Sequence, residues 1–353
     1  MPTLCLRKLL SAAVWVLLIV GGCSSPTDDN YGGCPHTGLN EALVPVLYWG
    51  YSFPDDGYRA NEGMPVSSIT QPLWYRDDAI LVNSGVQVGG SWVAGIFRVN
   101  IDPQSYQFVS VEPAGFPIPI RNFDYVPSTQ QLLITYGSSD PSREAALAHF
   151  EGDEIIVDSV LVDASRAPWC ARADDAGRIV YYRIGSSPGF FGVGTGANGD
   201  SLLVSVVLDS RDASGFDLVL DSLYFGRTDG PSNDPHAIIL QGDLAGGGQP
   251  VSFVELPGRF VSVRADGMGH VLVCTDYWGN DTIAPGGRVH VIDVASGTAT
   301  RLDTRTQTVD CLTYVATFAA WSPDGHAFAF SSSAFSGEGD HWPPSLWVCK
   351  QPR

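Results

Sequence analysis

From Ala42 onward the chain is a succession of short apolar runs separated by Gly, Asp, Pro and Ser. The runs are rich in Val, Ile, Leu, Phe and Tyr and hardly any stretch repeats at helical spacing, so the pattern predicts strands throughout. The one helix-like piece, Ser142 to His149, is too short to matter. A single unit recurs: an acidic or glycine-containing turn, an apolar strand, then a Ser/Gly/Asp loop. It appears as Arg76-Asp77-Asp78 before Ala79 to Val82, as Pro127-Ser128-Thr129 before Leu132 to Ile134, and as Asp174-Asp175-Ala176-Gly177 before Ile179 to Tyr182. It returns as Asp266-Gly267-Met268-Gly269 before Val271 to Val273, and as Trp321-Ser322-Pro323-Asp324-Gly325 before Ala327 to Phe330. Successive turns lie about 45 to 60 residues apart, a period suited to blades of four strands. One interval of about 90 holds a degenerate copy, Arg211 to Gly215 followed by Phe216 to Leu220.

The expected fold is therefore all-β, a propeller of six four-stranded blades, with seven as the alternative count. In the turn Pro323 presets φ, Asp324 bonds nearby backbone and Gly325 accepts positive φ, joining the first two strands of a blade. Leu346 to Cys349 reads as the third strand of the last blade. Ala42 to Phe53, with its Val-Pro-Val-Leu-Tyr-Trp string, supplies a fourth strand, closing the ring and removing an open sheet edge. The string Trp321-Ser322-Pro323-Asp324-Gly325, the strand to Phe330 and then Leu346-Trp347-Val348 resemble the TolB-type β-propeller repeat. The other copies lack the Trp-Ser-Pro string, so the resemblance speaks to fold more than to function.

The beginning of the chain follows a different pattern. Arg7 and Lys8 precede an apolar run from Leu9 to Val20 that stops at Gly21, Gly22 and Cys23. This is the layout of a signal peptide, and the run is shorter than the roughly 20 residues that span a bilayer. Val20-Gly21-Gly22-Cys23 resembles the bacterial lipobox, which implies diacylation of the Cys23 sulfur, cleavage before it and acylation of the new amino group. Two or three acyl chains anchor far more firmly than one. Ser24 follows, which among the Gram-negative lipoproteins it resembles implies forwarding to the outer membrane. The expected layout is a signal peptide over 1–22, a lipidated tether over 23–41, too polar to offset its ordering entropy, and a propeller over 42–353. It places the protein at the cell envelope, facing the periplasm or the cell surface.

Charge narrows the partners. The formal net charge is −18, and cleavage removes Arg7 and Lys8 but no acid, leaving −20. A nucleic-acid binder needs the opposite sign, and an acidic domain gains nothing from anionic lipid. Removing Cys5 with the signal and committing Cys23 to lipid leaves Cys34, Cys170, Cys274, Cys311 and Cys349. In an oxidising compartment such residues tend to pair, with at least one left over. No CxxC or Cys/His cluster suggests zinc.

Few motifs carry chemistry. Gly185-Ser186-Ser187-Pro188-Gly189 matches G-x-S-x-G, yet no helix follows to form the elbow that activates Ser187. Gly192 to Gly196 likewise lacks the helix of a phosphate-binding loop. No cofactor is required, although Asp276, Asp281, Glu338 and Asp340 are candidate calcium ligands, calcium preferring six to eight convergent oxygens. The loops after the second strand of each blade should emerge opposite the acidic turns. They read as long: Ser84 to Trp92, Tyr136 to Glu144, Gly185 to Asp200, Asp276 to Gly287 and Ser331 to Pro344. They carry Trp92, Phe190, Phe191, Tyr277, Trp278, His341 and Trp342, candidate ligand-binding residues because aromatics beside polar groups suit a glycan, peptide or envelope protein. The expected function is a binding module. Its rivals are a hydrolase or lyase with an acidic site at the channel mouth and a structural subunit docking through a blade edge.

Overall fold

The structure, a computed structural model, describes residues 43–48, 66–88, 91–116, 118–137, 143–196, 199–209, 212–231, 234–277, 286–302, 316–332 and 345–350. An opening strand, β1 (Leu43–Tyr48), precedes blade 1, made of β2 (Val66–Arg76), β3 (Ala79–Val88), β4 (Ser91–Ile101) and β5 (Phe108–Ala114). Blade 2 holds β6 (Ile120–Val126), β7 (Gln131–Tyr136), β8 (Glu144–Glu151) and β9 (Glu154–Val162). Blade 3 holds β10 (Pro168–Ala173), β11 (Ile179–Arg183), β12 (Gly189–Gly196) and β13 (Gly199–Ser205). Blade 4 holds β14 (Asp217–Val219), β15 (Ser222–Asp229), β16 (His236–Asp243) and β17 (Val251–Pro257). Blade 5 holds β18 (Arg259–Ala265), β19 (His270–Tyr277), β20 (Gly286–Asp293) and β21 (Thr298–Leu302). Blade 6 has β22 (Ala316–Trp321), β23 (Ala327–Ser332) and β24 (Ser345–Lys350), with β1 as its outermost strand. All six sheets are four-stranded and antiparallel.

The first strand of each blade touches the first strands of its neighbours, so these strands surround the axis. Between blades lie apolar layers built from alternate residues of the facing strands. Leu81, Phe123, Leu132 and Ile134 fill the layer between blades 1 and 2, and Val126, Ala171, Tyr181 and Phe191 the next. Phe190, Phe216 and Phe225 stack between blades 3 and 4. Between blades 4 and 5 the Phe260 ring lies so close to Gly226 that no side chain fits there. Each buried Leu, Ile or Phe contributes roughly 1.5–3 kcal/mol.

The ring closes where β1 pairs with β24, from Leu43 opposite Cys349 to Tyr48 opposite Ser345. A bulge falls between Pro45 and Leu47. Pro45 has no N–H to donate, which an outermost strand at a bulge tolerates. Val46 drops into the layer formed by Leu346 and Val348 of blade 6 with Trp74, Ile80 and Val82 of blade 1. Closure by an N-terminal strand and the count of six blades agree with the repeat pattern.

The turns work as their sequences predict. Ser322 Oγ donates to Asp324 Oδ1 at 2.7 Å, the His326 N–H donates to the same carboxylate at 3.0 Å, and Gly325 takes φ 66°. Asp266 Oδ1 accepts from the Met268 and His270 amides at 2.7 and 2.9 Å.

Four expectations are corrected. The helix-like piece, Ser142 to His149, is strand over its described part: β8 occupies Glu144–Glu151 and pairs with β7 on one side and β9 on the other. The degenerate copy is shifted, because Asp217–Val219 is the first strand of blade 4 and the turn is Leu220-Asp221, with Leu220 at φ 53°. Ser84 to Trp92 and Gly185 to Asp200 are mostly strand, since β3 and β4 continue to Val88 and from Ser91, and β12 fills Gly189–Gly196. Finally, Cys170, Cys274 and Cys349 are free thiols in three different blades, so no disulfide joins them. Burial pushes the thiols of Cys274 and Cys349 up to about 12.

Deleting residues 43–48 should expose the β24 edge and the Val46 layer. Thermal unfolding should fall by at least 10 °C and light scattering should report association; an unchanged melting curve would show that β1 does not close the ring.

Candidate functional site

Four consecutive first strands each place one charge inside an apolar run: Asp124 on β6, Arg172 on β10, Asp217 on β14 and Arg264 on β18. All four are buried. The signs alternate around the axis, and the side chains lock the blades to one another. The Asp124 carboxylate accepts the Ala173 amide of blade 3 at 3.0 Å, and the Asp217 carboxylate accepts the Ala265 amide of blade 5 at 2.9 Å. Arg172 donates to the carbonyls of Phe123 in blade 2 and of Phe216 and Ser214 beside blade 4, each at 3.2 Å, and to Asn122 Oδ1. Asn122 Nδ2 in turn donates to Gln71 Oε1 of blade 1 at 3.4 Å.

Arg264 crosses the axis. Its Nη1 donates to Asp124 Oδ1 at 3.1 Å, from blade 5 to the opposite blade 2, and lies 3.9 Å from Asp217 Oδ2. This pair divides the channel and forms the floor of a cavity of about 710 Å³ that opens on the face of the acidic turns. Burial raises the Asp217 carboxyl to about 6, with the neighbouring Asp124 charge adding to the effect and Arg264 opposing it. The two carboxylates outweigh burial at Arg264 and raise its pKa.

The cavity rim is made of the turns. Asp174 and Asp221 bind Arg178, which also donates to the Leu220 carbonyl. Asp266 holds His270 Nδ1 at 2.7 Å. Asp175 has no hydrogen-bond or ion-pair partner among the described residues, and its carboxylate lies against Gly267 of the turn in blade 5. Burial raises its pKa, with Asp174, Asp266 and Asp124 adding repulsion. Trp74, Tyr125, Trp321, Pro127 and Pro323 complete the walls.

The residues singled out in the sequence fall elsewhere. Phe190 and Phe191 are corrected: they belong to β12 and are buried between blades, Phe190 against Phe216 and Phe225 and Phe191 stacked on Tyr181. Trp92 lies within β4 opposite Gln87, and Asp276 and Tyr277 end β19 opposite Gly287 and Gly286. Trp278, Asp281, Glu338, Asp340, His341 and Trp342 lie outside the described residues, as do Cys23, Cys34 and Cys311. Among the described residues no group of three or more His, Cys, Asp or Glu is placed to hold a metal ion. Sequence reasoning missed the axial charges, although Phe123-Asp124-Tyr125, Ala171-Arg172-Ala173, Phe216-Asp217-Leu218 and Val263-Arg264-Ala265 share a signal: a charge between apolar residues just before a turn.

Comparison with solved structures returns propellers. A Bacteroides thetaiotaomicron protein of unknown function is 9% identical over 87% of this chain and 75% of its own, with a TM-score of 0.52. A gluconolactonase from Xanthomonas campestris is 12% identical over 92% and 99%, with a TM-score of 0.50. The tricorn protease is 15% identical over 80% of this chain, which spans 26% of the protease, with a TM-score of 0.49. The likeness is one of fold. No protein-family model matches the chain, and no curated protein matches it by sequence.

Because the folded chain holds the Asp217 proton to higher pH than the unfolded chain, the stability linked to this group is greatest below about pH 4. It falls as pH rises toward 6. Asp217→Asn should flatten that part of the stability profile, by up to roughly 3 kcal/mol across the window, as measured by urea unfolding from pH 4 to 7. Arg264→Met should cost about 3–5 kcal/mol at pH 8 by leaving two buried carboxylates uncompensated, and less at pH 5, where Asp217 takes up a proton.

Proposed function

We propose that this protein is a lipid-anchored propeller of the bacterial envelope that binds a ligand or a segment of a partner protein at the channel mouth on the acidic-turn face. The observation that carries the binding reading is a cavity of about 710 Å³ with a floor fixed by buried charges and walls of aromatic and proline side chains. That volume lies within the roughly 300–1,000 Å³ usual for ligand sites. A floor whose carboxylates already accept backbone amides and Arg264 is preorganised, so little ordering entropy is lost on binding. The anchor rests on Val20-Gly21-Gly22-Cys23 and the polar tether that follows it, and the TolB-type likeness of the last blade fits an envelope propeller.

A second reading has support in Asp217, whose raised carboxyl beside Asp124 and Arg264 is the kind of group that donates or accepts a proton near neutrality. In that reading the same cavity is a hydrolase or lyase site. Asp217 is buried and each of its oxygens already accepts a backbone amide, from Leu218 and from Ala265, which favours binding over proton transfer.

Two experiments test the proposal. Ala176 is exposed and lines the cavity, so Ala176→Trp should occupy the bowl while leaving the melting temperature within a few degrees. Amines, amino acids, peptides and sugars that raise the wild-type melting temperature should then fail to raise that of the variant; equal shifts in both proteins refute the site. Cys23→Ala should abolish labelling by an alkyne fatty acid and leave the chain unprocessed, whereas labelling that persists in the variant refutes the anchor.

A further inference from the structure

We propose that the channel mouth receives a basic side chain, an arginine or lysine presented by a peptide, with its cationic group seated at Asp175. This rests on the mouth being the binding site and names what binds there. Six aspartates line the cavity against two arginines. Both arginines are committed, Arg264 to Asp124 and Asp217 on the floor and Arg178 to Asp174 and Asp221 on the rim. Asp266 is occupied by two backbone amides and His270. The surplus charge is thus concentrated at Asp175, where Asp174, Asp266 and Asp124 repel it. A cation placed there relieves that repulsion without displacing an existing pair, whereas an anion adds to it.

The walls fit the same occupant. Tyr125 and Trp321, both half-buried, line the walls with rings of the kind that attract an ammonium or guanidinium group. A peptide supplies a cation from its side chain and an uncharged body to lie along the rim, which a simple amine does not. At the turns around the mouth, Leu220 and Met268 are 66% and 60% exposed, apolar surface suited to the flanks of a bound segment.

The test is calorimetry on the full chain in detergent with three capped tripeptides, Ac-Gly-Arg-Gly-NH2, Ac-Gly-Gln-Gly-NH2 and Ac-Gly-Glu-Gly-NH2, and with spermidine. The arginine peptide should bind, the glutamine peptide at least about tenfold more weakly and the glutamate peptide not at all. Asp175→Asn should weaken the arginine peptide by about tenfold while leaving the melting curve unchanged, and Ala176→Trp should abolish binding. Equal binding of the arginine and glutamine peptides, lost in Ala176→Trp, would overturn the charge preference and leave the site standing. Spermidine binding as tightly as the arginine peptide would overturn the peptide. No binding by any of the four, or binding that Ala176→Trp does not alter, would overturn this proposal, and the melting-temperature screen, which includes sugars, then decides the site separately.

Discussion

The first strand of every blade is a sheet edge, and in a closed ring those edges face one another around the axis with half of their backbone groups unpaired. Buried amides and carbonyls without partners are costly, and the ring has no second layer of sheet to pair them. The chain answers with side chains. Carboxylates of Asp124 and Asp217 take amides from the next blade, and Arg172 takes carbonyls on both of its sides. Once charges are buried for that purpose they need one another, and the Arg264 to Asp124 bridge across the axis follows. The floor of the candidate site is therefore a consequence of ring closure.

The same reasoning explains the asymmetry of the axis. Blades 2 to 5 carry the alternating charges, while Leu73 and Ala320 line the cavity from the first strands of blades 1 and 6. Blades 6 and 1 are the pair stitched by β1, where Val46 packs with Leu346, Val348 and Trp74. The seam is held by apolar burial and strand pairing, and the far side by a polar lattice. A cavity between them thus has an apolar, aromatic wall on one side and a charged one on the other, a division suited to a ligand with a cationic head and an uncharged body.

Much of the fold was legible along the chain because its determinants are local. The turn at Ser322 to Gly325 is written in adjacent residues, and each hydrogen bond that holds it spans five positions or fewer. Phe190 and Phe191 show where local reading fails: glycines on either side suggest a loop, but Gly189–Gly196 pairs with strands on both sides and its rings are the packing between blades. Glycine there permits close approach of backbones, a property that composition does not separate from looseness.

The amino-acid sequence by itself determined the strand period, the turn chemistry and the N-terminal closing strand, and it left the blade count at six or seven. Each depends on residue type at short spacing or on a repeat of fixed length. Only the tertiary structure decided which charges meet. Arg264 and Asp124 are 140 residues apart, and Ala173 and Asp124 are 49 apart. Nothing in either neighbourhood names the other, because their encounter is set by how many blades the ring holds and by which blades it places opposite one another.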